Sequence, residues 1–334
     1  MGERAETKIV TKVHTNDVTD AHTNDVTTIQ DVTTPSSNPT TVAQSENTTT
    51  NSSIKRNSYV YTNITATISV KNLCMDKPDI VGYVLTRAGD FKRRDVIRRT
   101  YGRIKKVNGT RVALVFVLGT TANQTAQKDI QKEAQQYNDV IQMNVSDAYR
   151  LLAPRNLNAM KWIVDHCAHA QMFFKVDDDV FVNMYRLVEF YPRWIELKDS
   201  EDQFYCKTHE YVQPERTRTK WRVTMEEYSG HLYPTYCHGS AEIFSRGVVQ
   251  RIYDVTNSTD FFWIDDVFVT GILRQKAKVG ITHFYPNFGR ASLMWHIPDS
   301  FSQIKQEIFG VFFDISVQRQ EQFYPVLSDI VDGP

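Results

Sequence analysis

The sequence predicts an α/β fold: a mostly parallel sheet with helices on both sides, preceded by a disordered stem. Three observations carry this reading. From residue 80 onward, apolar runs of strand length alternate with helix-like segments, the pattern of repeated βα units. One run, residues 172–176, delivers Asp177, Asp178 and Asp179 at its C-terminal end, where α/β sheets bind ligands. Residues 1 to about 72 differ in composition: rich in Thr, Asn, Asp, Ser and Val and poor in aromatics, they bury too little apolar surface to offset their ordering entropy.

The stem contains a repeat, His14-Thr15-Asn16-Asp17-Val18-Thr19 followed by His22-Thr23-Asn24-Asp25-Val26-Thr27. The folded domain is expected over residues 73–334. Residues 80–85 (IVGYVL) read as a first buried strand, and 91–101 as a basic helix ended by Gly102. Residues 112–118 form a continuous apolar strand closed by Gly119, 126–137 a polar helix, and 140–143 a short strand. Leu157, Met160, Ile163, Val164 and Cys167 share one helical face. Trp162 is expected in the core, and His166 and His169 as partly exposed helix residues. Residues 172–176 form the strand that presents the aspartates.

The formal net charge is zero, which excludes a general polyionic attraction to nucleic acid or membrane. Asn-X-Ser/Thr sequons at Asn47, Asn51, Asn63, Asn108, Asn123, Asn144 and Asn257 favour a secretory-pathway protein. The four cysteines permit two disulfides in that compartment and contain no CxxC pair. No N-terminal apolar run resembles a signal peptide or anchor; a truncated or alternative form is the expected explanation.

Three adjacent carboxylates repel one another, so such a cluster calls for a cation. Oxygen ligands select Mg²⁺ or Mn²⁺, which usually also hold substrate phosphates. An EF-hand is excluded, because Phe181 and Val182 stand where that loop needs glycine and an oxygen ligand. Arg94 and Arg98, four apart on the basic helix, could grip a diphosphate or form a salt-bridged helix face. The segment 233–241 (YPTYCHGSA) is an aromatic turn running into small residues that admit a ligand. Asp265 and Asp266 precede an apolar helix start, where capping explains one carboxylate more easily than two. His296 lies in an apolar context that suits a core residue or a metal ligand.

These segments together resemble the β1,3-galactosyltransferase and β1,3-N-acetylglucosaminyltransferase family. Residues 93–102 (RRDVIRRTYG) are similar to its A-R-x-A-I-R-x-T-W-G, with Tyr101 in place of the tryptophan. Residues 139–142 (DVIQ) and 147–149 (DAY) resemble D-I-I-Q and D-S-Y, and 175–183 (KVDDDVFVN) matches K-x-D-D-D-V-F-V-N. Residues 220–223 (KWRV), 233–237 (YPTYC) and 265–269 (DDVFV) resemble K-W-x-V, Y-P-P-Y-C and E/D-D-V-Y. The family's N-L-T-L-K-T is here 151–156 (LLAPRN), so its lysine becomes Arg155, and its glycine run after Y-P-P-Y-C keeps only Gly239. Both departures bear on donor and acceptor preference.

The resemblance implies a Rossmann-like GT-A fold and an inverting, Mn²⁺- or Mg²⁺-dependent transfer of a hexose from a UDP-sugar to a hydroxyl of a glycan or glycoconjugate. Galactose in β1,3 linkage is the first choice. The alternatives are UDP-N-acetylglucosamine or UDP-N-acetylgalactosamine as donor, or a non-catalytic sugar-binding protein of the same fold. By the same resemblance Asp177, Asp179 and His296 hold the metal, while Arg94, Arg98, Asp177, Asp178 and Arg155 hold the donor. Lys220, Trp221, Tyr236 and Gly239 contact substrate. Asp266 is the base, with Asp265 as runner-up. The expected location is the Golgi lumen, as a type II membrane protein whose anchor lies outside this sequence.

Overall fold

The computed structural model describes residues 61–197, 202–217 and 219–284, together with the backbone of 309–311. Residues 1–60 of the expected stem, and His296, lie outside the described residues.

Along the chain the strands are β1 (Ala66–Ile68), β2 (Ile80–Leu85), β3 (Lys106–Val107), β4 (Thr110–Thr120), β5 (Val140–Ser146), β6 (Met172–Asp177), β7 (Val180–Val182), β8 (Gln203–His209), β9 (Tyr236–Phe244), β10 (Gly280–His283) and β11 (Phe309–Val311). The main helices are α1 (Phe91–Arg99), α2 (Gln124–Tyr137), α3 (Leu152–His166), α4 (Met184–Glu196) and α5 (Arg246–Asp254). The principal sheet has the order β1-β5-β4-β2-β6-β9-β8-β10. Its centre, β5-β4-β2-β6, is parallel, whereas β1, β9 and β8 join antiparallel neighbours. The sheet is therefore mixed around a parallel core. All six residues of β2 are buried, as expected where both faces of a parallel strand are covered.

Strand order explains where the site forms. The chain runs from β2 to β4 to β5 on one side of β2, then returns to β6 on the other. The order reverses between β2 and β6, and the carboxyl ends of strands flanking such a reversal form a crevice. Leu85 at the end of β2 pairs in register with Asp177 at the end of β6. The aspartate cluster therefore stands at the switch point.

Residues 61–72, read from composition as stem, belong to the fold. Ile64, Ala66, Ile68 and Val70 turn inward while Asn63, Thr65, Thr67 and Ser69 are exposed, a period-two pattern hidden by the threonine-rich composition. β1 pairs with β5, and the buried Tyr61 hydroxyl donates to the carbonyls of Thr256 and Thr259. Trp162, expected in the core, is half-buried and stacks on His166 with centroids 3.8 Å apart. β3 and β4 form a hairpin through Asn108-Gly109, both at positive φ, as two-residue hairpin turns demand.

Two disulfides form, Cys74–Cys167 and Cys206–Cys237, spanning 93 and 31 residues. Loop-closure entropy assigns them roughly 4–5 and 3–4 kcal/mol respectively. The second ties β8 to the start of β9, which lines the site. No described helix is long and apolar enough to cross a membrane.

Candidate active site

Asp177 closes β6, and Asp178 and Asp179 form the turn into β7. Each carboxylate has a distinct environment. Asp177 Oδ1 lies 3.1 Å from Lys175 Nζ; burial raises its pKa against the pull of that ammonium. Asp178 accepts from Thr86 Oγ1 at 2.8 Å and Arg93 Nη1 at 3.2 Å, which fixes it to the end of β2. Burial lifts its pKa to about 6 although Arg93 opposes the rise. Asp179 is lifted to about 7 by burial and by repulsion from Asp177 and Asp178. A group so strained as an anion suits a cation.

Asp265 and Asp266 open a short helix, α6 (Asp265–Val267), that continues as a π-helix over Phe268–Leu273. Neither caps it, because Ile264 occupies the cap position. Adjacent residues on a helix diverge by about 100°, so the two carboxylates face different surroundings. Asp265 is buried and accepts twice from Asn156 Nδ2, at 3.1 and 3.0 Å. Asn156 Oδ1 in turn accepts from Tyr83 Oη at 2.6 Å. Burial raises the Asp265 pKa to about 7 against the pull of Lys175. Asp266 is half-buried, and its Oδ2 accepts from the Gly239 amide at 3.0 Å. A Cβ at position 239 would overlap the Asp266 carboxylate, so the single glycine kept here is required by close approach. The π-turn places Thr270 Oγ1 to donate to Asp266 O at 2.7 Å and to accept from Cys237 N at 2.9 Å, which fastens the turn that carries Asp266 to β9. Such turns recur at functional sites.

Aromatic residues wall the Asp266 side. Tyr236, raised to about 12 by burial and by Asp266, stacks with His209 at 5.2 Å, and His209 with His238 at 5.1 Å. Trp221, 48% exposed, donates from Nε1 to Tyr149 Oη at 3.0 Å. Lys220 Nζ lies 4.4 Å from the Trp221 ring centroid. Tyr149, 46% exposed, has its pKa raised by burial and also by Asp266, Asp265 and Asp177, which places this platform beside the acids.

Two assigned donor ligands are structural. Arg94 is fully buried; its guanidinium donates at 2.8 Å to both carboxylate oxygens of Glu133, and to the carbonyls of Arg87 and Ala88. Arg98 bridges Glu133 and Asp139 between the rings of Phe116 and Tyr137. The salt-bridged helix is the correct alternative: the doubled arginine face packs onto α2 and the sheet, with no fork left for a diphosphate. Arg155 is also buried, paired with Asp147, with Nε unpartnered. Asp147 accepts from Ala88 N at 2.6 Å, so Arg155 acts on the loop after β2 at one remove. The large cleft of about 940 Å³ lined by Arg98, Arg111 and Tyr137 opens at the opposite ends of the strands, and none of the five aspartates lines it.

Sequence reasoning missed Lys175, Glu242, Asn156 and Tyr149. The signal for Lys175 was present: a cation within the otherwise apolar 172–176 must find partners when buried.

A family model described as galactosyltransferase matches residues 92–285. Beta-1,3-galactosyltransferase 5 of Mus musculus is 32% identical over 211 residues, 62% of this chain and 66% of that protein. The Homo sapiens protein of the same name is 28% identical over 226 residues, 66% of this chain and 71% of the relative. Beta-1,3-galactosyltransferase 1 of Mus musculus is 32% identical over 216 residues, 64% of each chain. The match spans about two thirds of these relatives' own length. With more than half its length inside the family model, this chain belongs to the galactosyltransferase family.

Proposed function

We propose that the chain is an inverting β1,3-galactosyltransferase that moves galactose from UDP-galactose to a glycan hydroxyl with the aid of Mn²⁺ or Mg²⁺, in the Golgi lumen. The observation that carries this reading is the division of carboxylates between two elements beside one crevice: Asp177–Asp179 at the switch point, and half-buried Asp266 on α6, close enough to raise the Asp177 pKa.

Among the described residues, no three His, Cys, Asp or Glu side chains converge as a metal shell. A hard cation can be held by one or two carboxylates and completed by substrate phosphates. Asp177 and Asp179 would hold it, and when bound it neutralises the charge that develops on departing UDP. Asp178, fixed by Thr86 and Arg93, presents its carboxylate on the nucleotide side. Tyr149 and Trp221 offer exposed faces to the acceptor sugar. Asp266 accepts the proton of the attacking acceptor hydroxyl as its oxygen displaces UDP from the opposite face of the anomeric carbon. Asp265, buried and enclosed by Asn156, serves the base by position. Exposed sequon asparagines at Asn108, Asn123 and Asn257, and two disulfides, support the luminal placement.

A panel of UDP-sugars assayed with Mn²⁺ for UDP release tests the reading. UDP-galactose with a glycan acceptor should turn over fastest. Preferred turnover of an N-acetylhexosamine donor would replace the galactose assignment, and no release above a metal-free control from any donor would refute the enzyme.

A further inference from the structure

The geometry points to Lys175 as a positioning residue that locks the metal-side carboxylate and the base into one rigid spacing. The inference rests on the glycosyltransferase reading above. Lys175 is 1% exposed. Its ammonium donates to the carbonyl of Gly239 and lies 3.1 Å from Asp177 Oδ1. The amide of the same Gly239 donates to Asp266 Oδ2 at 3.0 Å. One chain of contacts therefore runs Asp177–Lys175–Gly239–Asp266, joining the wall that meets the nucleotide to the wall that meets the acceptor.

A simpler role would be counter-ion to Glu242, which pairs with Lys175 in register across β6 and β9. The contacts do not favour it. The lysine ammonium turns to Asp177 and Gly239, while Glu242 Oε2 is buried without a partner. Burial raises the Glu242 pKa well above its usual value although Lys175 opposes the rise. The lysine ammonium lies among four acids, Asp177, Glu242, Asp265 and Asp266, each of which raises its pKa, and its direct contacts go to Asp177 and Gly239. Rigid donors of this kind hold a reacting geometry that loses about 10²-fold in rate for a displacement near 1 Å.

The test uses two variants of the full chain, Lys175→Met and the double variant Lys175→Met/Glu242→Gln. The double variant keeps the question answerable if the single one folds poorly, because Glu242→Gln removes the ionisable group that Lys175→Met would leave buried opposite an apolar side chain. Two quantities are read: the Mn²⁺ concentration giving half-maximal UDP binding by calorimetry, and kcat at saturating Mn²⁺ and UDP-galactose. For both variants the Mn²⁺ midpoint should rise by about 10-fold or more and kcat fall by about 10²-fold. A merely structural lysine would lower the fraction of molecules that bind UDP and leave the midpoint unmoved. Wild-type midpoint and kcat in the double variant would overturn the inference and restore the counter-ion role. Wild-type protein that binds no UDP at any Mn²⁺ concentration would overturn the functional reading first, and the inference with it.

Discussion

At the scale of single residues, the site is a set of carboxylates that burial makes reluctant to ionise. Asp178, Asp179 and Asp265 have pKa values raised to about 6, 7 and 7. A group whose folded pKa exceeds its unfolded value stabilises the fold below the unfolded pKa, and that contribution is lost as pH rises through the folded pKa. Metal-free protein should therefore lose several degrees of melting temperature between pH 4 and pH 8. Mn²⁺ should restore more at pH 8 than at pH 5, and a Mn²⁺ effect independent of pH would contradict the placement of the metal at the raised carboxylates. Gly239→Ala offers a second check at this scale. The added Cβ displaces the Asp266 carboxylate, so turnover should fall by about 10²-fold while Mn²⁺-dependent UDP binding stays within about 3-fold of wild type, on the premise that the base rather than the metal side moves. Equal loss of both would show that the glycine supports the whole crevice. These residue-level details were partly legible in the sequence. The motif and the strand-end logic singled out Asp177–Asp179, which stand at the switch point, and Asp266, which meets Gly239. Periodicity could not say that Arg94 and Arg98 point into α2, because a basic helix face reads alike whether it meets a phosphate or a glutamate from another helix.

At the scale of elements, β1 and the π-turn after Asp266 are the parts that composition concealed. β1 is a half-buried edge strand whose alternation is legible once threonine is read as the solvent face of a strand rather than as stem. Its loss would expose the β5 edge and remove the Tyr61 anchor on Thr256 and Thr259. A chain begun at residue 73 should melt roughly 5–15 °C below one begun at residue 61, from ~3–5 kcal/mol of lost burial and hydrogen bonds. Equal melting temperatures would return residues 61–72 to the stem. The π-turn carried no sequence signal, since the same FVTGIL suits an α-helix; its register is set by Thr270 bonding Cys237 and Asp266 together. By contrast β2, β4, β5 and β6 were legible, because strands buried on both faces appear as unbroken apolar runs.

At the scale of the whole molecule, the sheet sets where the two groups of carboxylates stand. The reversal of strand order at β2 and β6 opens the crevice and supplies Asp177–Asp179, while the Gly239 amide of antiparallel β9 holds Asp266 of α6 beside it. The order of motifs in the sequence signalled both halves, but their meeting depends on the β6–β9 pairing, which no local pattern encodes. The central claim is that these halves act separately, one on the donor and one on the acceptor. Parallel measurement of Mn²⁺-dependent UDP binding and of transfer kinetics in Asp179→Ala and Asp266→Asn tests it most directly. Asp179→Ala should lose metal-dependent UDP binding. Asp266→Asn should keep it and lose transfer by roughly 10²–10⁴-fold, with a smaller effect in Asp265→Asn. Unchanged Mn²⁺ dependence in Asp179→Ala, or near-normal transfer by Asp266→Asn, would contradict the account.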